Sequence, residues 1–121
     1  MPAVKPNQEH LGDRLPLHPL EFQILLVLMD GVAHAYRIVR QVESRQPAWN
    51  RILPTNLYRR IWRLADLSLI EEVPGEAETE RPRKHFVITA LGRRVVAAEA
   101  ARLRRLLTEA EAAGVNPGGE G

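Results

Sequence analysis

The sequence predicts a mainly α-helical fold with one small β-hairpin, and three observations lead there. Three segments with apolar residues at helical spacing crowd the stretch from residue 19 to 67. Two short apolar runs then flank a Pro74-Gly75 turn, and a long helix rich in alanine, leucine and arginine follows. At 121 residues the chain suffices for one domain and is too short for two well-buried ones.

Residues 1–16 carry three prolines and no clear period, which predicts a flexible arm with a short helical turn near His10–Arg14. Pro19, tolerated in a first turn, opens a helix whose inner side is Leu20, Ile24, Leu25, Leu28 and Met29; Asp30-Gly31 stops it. A second helix runs from about His34, a cap or structural contact, to Ser44. Its inner side is either Tyr36, Val39 and Val42 or Ile38 and Val42. Gln46-Pro47 ends it, because a residue before proline is pushed out of the helical region. Trp49 lies in the following loop, where it could shield the second helix or line a pocket.

Pro54-Thr55 starts a third helix that reaches about Leu67, with Leu57, Ile61, Leu64 and Leu67 forming one stripe. Arg59, Arg60 and Arg63 project from its other side, with Thr55 and Asn56 nearer its start. Leu69–Val73 and Arg83–Ile88 read as the two strands, Phe86 and Ile88 sharing a face, and the polar loop Pro74–Pro82 is long for a hairpin. Thr89 caps a final helix, Ala90 to about Ala113, which Gly114 and Pro117 end before a disordered tail over 114–121.

Three compact helices followed by a hairpin are the winged helix-turn-helix, in which the third helix enters the major groove of DNA. This assigns a winged helix-turn-helix to residues 17–89 and a dimerisation helix to 90–113. Charge is distributed to match. Residues 35–63 hold seven arginines against Glu43, residues 64–80 six acids and no base, and residues 81–94 five bases and no acid. Such blocks mark a charged working face more than a solvating surface. Arginine pairs bidentately with guanine and also holds phosphate. The candidate DNA-contacting residues are therefore Thr55, Asn56, Tyr58, Arg59, Arg60 and Arg63 on the helix, with Arg81, Arg83 and Lys84 on the wing. Glu76, Glu78 and Glu80 crowd the wing tip, so either the tip stays clear of the duplex while the three bases reach it, or the wing does other work.

Leu20–Gly31 with His34-Ala35-Tyr36-Arg37-Ile38, Leu57-Tyr58-Arg59-Arg60-Ile61 with Arg63-Leu64, Leu69-Ile70-Glu71, and Arg83–Gly92 together resemble the PadR family of bacterial regulators. The resemblance covers about residues 20–94 and is similar to compact members of that family. It implies a dimeric winged-helix repressor in the bacterial cytoplasm, pairing through its C-terminal helix. It also implies a signature role for Tyr58 beside the DNA backbone, where its hydroxyl could reach phosphate; the other reading is an interior ring beside Leu57. Trp62 reads as core or interface. The chain departs from the family at Ala35, Thr55 and Ser68, where the family has glycine. A lost helix-ending glycine costs about 1 kcal/mol if the backbone is left-handed there.

The last helix outruns what a three-helix core can cover, so Leu91, Val95, Val96, Leu103, Leu106, Leu107 and Ala110 are the expected homodimer contacts. A dimer would place two recognition helices about 34 Å apart on a pseudo-palindromic operator. The apolar interface could also hold a flat hydrophobic effector.

Other classes fare poorly. His10, His18, His34 and His85 lack metal-ligand spacing, and neither a phosphate-binding glycine loop nor a nucleophile elbow is present. No enzyme, cofactor or metal is expected. With no cysteine there is no disulfide frame, and an intracellular location fits. The longest apolar run, Ile24–Met29, is far too short to span a membrane, and no apolar signal segment precedes it. Two alternatives to DNA binding stand: a winged-helix module that meets an acidic protein, and a dimeric ligand sensor.

Overall fold

The computed structural model describes residues 11–74 and 84–119. Among these, a 3-10 turn at Gly12–Arg14 precedes α1 (Pro19–Leu28), β1 (Ala33–His34), α2 (Ala35–Ser44), α3 (Pro54–Asp66), β2 (Ile70–Val73), β3 (His85–Ile88) and α4 (Ala90–Ala112). The three strands form one antiparallel sheet in the order β1-β3-β2. Ile70 pairs with Ile88, Val73 with His85, and Ala33 with Phe86.

Local chemistry sets each boundary. The His18 imidazole caps α1, its Nδ1 accepting from the Leu20 N–H at 3.0 Å, and Pro19 opens the first turn. Beyond α1, Gly31 takes φ +129°, which a Cβ would oppose. His34 caps α2 in the same way, accepting from the Arg37 N–H at 3.0 Å. At the end of α3, Ser68 stands at φ 62°, while the Leu69 N–H donates to Leu64 and the Ser68 N–H to Ala65. These two bonds are a Schellman closure with serine in the glycine position. Gly114 (φ +96°) closes α4 by the same pair of bonds, Val115 to Ala110 and Gly114 to Glu111.

One core joins all the layers. Ile24, Leu25 and Leu28 of α1 meet Ile38, Val39 and Val42 of α2, Leu57, Ile61 and Leu64 of α3, Phe86 of the sheet and Val95 of α4. Thr89 ties the last helix to this body: its Oγ1 accepts from the Gly92 N–H at 2.9 Å and donates to the carbonyls of Ser68 at 2.7 Å and Leu69 at 3.1 Å.

The structure corrects the sequence reading in three places and decides one alternative, the inner side of α2, that the sequence leaves open. The sheet has a third strand, because Gly31 turns the chain so that Ala33-His34 pairs with β3; two residues are too few to show a period. Tyr36 is 51% exposed, and the inner side of α2 is Ile38, Val39 and Val42. Residues 11–16, expected in a flexible arm, are docked: Leu11 and Leu15 pack on the core and Arg14 Nη1 donates to the Leu67 carbonyl at 3.1 Å. Val95 and Val96, expected at a dimer interface, lie in the chain's own core, and Leu91 packs against it. Leu103, Leu106, Leu107 and Ala110 lie beyond that core, the three leucines 40–47% exposed.

Candidate nucleic-acid interface

The helical pitch of α3 divides its side chains into three faces. Leu57, Ile61 and Leu64 are fully buried against α1 and α2. Pointing away from them are Thr55, Arg59, Trp62 and Arg63, all exposed. Arg59 makes no side-chain hydrogen bond or ion pair among the described residues, so its guanidinium is free to meet a ligand.

One flank of α3 faces the base of the wing. Tyr58 is half-buried against the core, and Trp62 meets Phe86 edge-on with ring centroids 5.5 Å apart. The Lys84 ammonium stands 4.7 Å from the Trp62 ring centre, a cation–π contact at the start of β3. Together with His34, Ala35 and Tyr36 these residues line an open cleft of about 340 Å³. Arg40 stacks over Tyr36 at 5.8 Å, adding a second cation to this side.

The other flank faces α1. Asn56, Arg59, Arg60 and Arg63 share a shallow depression of about 110 Å³. Behind it lies Glu21, which is 3% exposed. Its Oε2 accepts from Arg60 Nη1 at 3.2 Å and from Arg63 Nε at 3.1 Å. Arg60 is consequently half-buried and turned toward α1, while the Arg63 side chain stays 61% exposed. Nearby, burial first and the Arg60 charge second hold the His18 imidazole below its ordinary pKa, with Glu21 opposing. The neutral ring is the form that can cap α1.

Of the residues expected from sequence, Thr55, Asn56, Arg59 and Arg63 share the outer side of α3, Tyr58 and Lys84 sit together at its wing flank, and Arg60 is drawn inward. Arg81, Arg83 and the acidic tip with Glu76, Glu78 and Glu80 lie outside the described residues. Trp49 is 84% exposed, so it does not shield α2. Sequence reasoning missed Tyr36 and Arg40, and it missed Glu21. The signal for Glu21 was present: it precedes Ile24 by three and Leu25 by four, which places a carboxylate on the inward stripe. A charge there needs a partner, and the arginines of α3 supply it.

The pattern that defines the transcriptional regulator PadR-like family matches residues 24–98. The chain belongs to this family. The stretch runs from α1 into α4 and includes α3 and both long strands, so the PadR-like assignment covers the entire helix-turn-helix and sheet. Membership in a family of transcriptional regulators agrees with the expectation of no catalytic role.

Solved structures share the fold. A PadR family transcription regulator from hypervirulent Clostridium difficile superposes with a TM-score of 0.68 at 17% identity, covering 78% of this chain and 96% of its own. A transcriptional regulator from Clostridium thermocellum gives 0.65 at 19% identity, covering 94% and 100%. Bacillus subtilis PadR, solved in complex with operator DNA, gives 0.58 at 18% identity, over 67% of this chain and 46% of that one. No protein of curated function matches the sequence.

Proposed function

We propose that this PadR-like regulator binds duplex DNA sequence-specifically as a homodimer, with α3 in the major groove, and represses its own or a neighbouring gene. The observation that carries this reading is the outer side of α3. Thr55, Arg59 and Arg63 form an exposed row of donors on a helix whose opposite side is locked in the core. Lys84 and Tyr36 extend that row toward the wing, and Arg81 and Arg83 belong to the same proposal. The operator complex of Bacillus subtilis PadR, which shares the fold, supports DNA as the partner.

Dimerisation is supported by α4. Positions 92, 96, 99, 103, 106 and 110 follow alternating spacings of four and three, the rhythm of a coiled-coil seam. The first half of that seam is buried in the chain's own core; the second half, Leu103, Leu106 and Ala110 with Leu107 alongside, continues past it. A second copy covers such a stripe economically, and a small hydrophobic effector would enter between the paired helices. Among the described residues no helix is long and apolar enough to cross a membrane; a cytoplasmic location belongs to the same proposal.

The test is a gel shift of the protein with its own upstream DNA against a random duplex of equal length. Preferential retardation of the upstream fragment is expected. Equal retardation, or none, overturns the reading and favours a protein-interaction module.

A further inference from the structure

We infer that Glu21 is a positioning residue for DNA recognition: it clamps Arg60 and Arg63 on one flank of α3, trading raw phosphate affinity for sequence discrimination. The inference rests on the DNA-binding reading and deepens it. Three features of the site point to it.

First, Glu21 is a charged group in an apolar neighbourhood, 3% exposed between Ile24 and Leu25 on the inner side of α1. A carboxylate is expensive to bury, so its presence calls for partners that hold it. Second, one oxygen serves two guanidinium groups, Arg60 Nη1 at 3.2 Å and Arg63 Nε at 3.1 Å. An arginine held through Nε has lost rotamer freedom but keeps both terminal nitrogens for an outside acceptor, and the Arg63 side chain is 61% exposed. Third, the clamp spans elements: α1 supplies the acid, α3 the bases, and Arg14 from the preceding turn fastens the far end of α3 at Leu67.

The consequence for binding is electrostatic and geometric. Glu21 offsets one of two positive charges, which weakens attraction to any phosphate backbone. It also fixes the Arg63 fork, so a base edge in the matching position gains more than a base edge elsewhere. Arg59, which has no such partner, remains the unrestrained cation of the helix.

Glu21→Gln tests this with operator and random duplexes across a salt series. Releasing both arginines steepens the plot of log affinity against log salt by up to about 0.9 per arginine. Affinity for random duplex rises at low salt, and the ratio of operator to random binding falls about threefold or more. An unchanged slope and ratio in a folded variant overturns the inference. So does an equal loss on both duplexes at constant slope, which is the signature of a merely structural residue. Should Glu21→Gln fail to fold, the wild type decides by NMR: the Arg63 Nε–H is expected to stay protected from exchange with and without operator, and an Nε–H exchanging as fast as that of Arg59 refutes the clamp. If the wild type shows no preference for any duplex, the DNA-binding reading itself fails and the clamp falls with it.

Discussion

Gly92 in the first turn of α4 lies directly against the backbone carbonyl of Leu69, so that a methyl group at position 92 would overlap it. Ile88 closes the same space from the side. This contact lets Thr89 reach the carbonyls of Ser68 and Leu69, and it locks the last helix onto the junction of α3 and β2. The orientation of α3 relative to the seam on α4 is fixed here.

Gly92→Ala is therefore expected to destabilise the fold by about 2–3 kcal/mol, since the obstructing atom is backbone and cannot swing aside. Glycine to alanine inside an ordinary helix would instead stabilise by about 1 kcal/mol. Urea denaturation gives the sign at once; a gain in stability would contradict the close approach.

Ser68 predicts the opposite outcome. With φ 62° and a Schellman pair of hydrogen bonds around it, the position favours glycine. Ser68→Gly should stabilise by about 1 kcal/mol. Thermal unfolding should shift upward by roughly 3–6 °C.

Glu99 gives stability a pH dependence. It is buried, and its carboxylate receives Arg102 Nε at 2.8 Å and Nη2 at 2.6 Å. Chiefly through the Arg102 hydrogen bonds, and despite opposing burial, with the Leu17 N–H helping, its pKa is held below the ordinary glutamate value. A lowered folded-state pKa means that the charged form favours the native state. The contribution is complete above the unfolded value, about 4.3, and is lost as pH falls through the folded one. Urea midpoints of wild type should thus drop more steeply below about pH 4.3 than those of Glu99→Gln; parallel curves would show that the pair contributes nothing.

The proposed pairing through the far half of α4 can be tested without touching the core. Leu103→Glu with Leu106→Glu places charges on exposed leucines and should yield a folded monomer by sedimentation, with operator affinity reduced at least about tenfold. A dimer that survives both changes would place the interface elsewhere.

Much of the fold was legible in the sequence because its signals are local. The Leu57, Ile61 and Leu64 stripe, the Thr89 cap and the alternation of Phe86 and Ile88 each depend on neighbours a few residues away. Strand β1 was not legible, since two residues carry no period and its pairing with β3 is long-range. The site was legible in part. Arg59 stands where helical spacing puts it, but the inward turn of Arg60 depends on Glu21, 39 residues earlier in the chain. The place of Tyr36 stayed open because two apolar sets fit α2, and only packing against α1 and α3 selects Ile38, Val39 and Val42.

The central claim, that the outer side of α3 and the wing base grip duplex DNA, is tested most directly by two changes that spare the clamp. Replacing all three α3 arginines would strand Glu21 as an unpaired buried charge and confuse folding with binding. Arg59→Ala with Lys84→Ala removes only exposed cations. Selection from a random pool should yield an inverted repeat with half-sites about 34 Å apart, and fluorescence anisotropy should show wild type bound to that duplex. The double variant should bind it at least about tenfold more weakly, with a melting temperature lowered by no more than about 5 °C for the lost Lys84–Trp62 contact. Equal affinity of wild type and variant for that duplex would contradict the account.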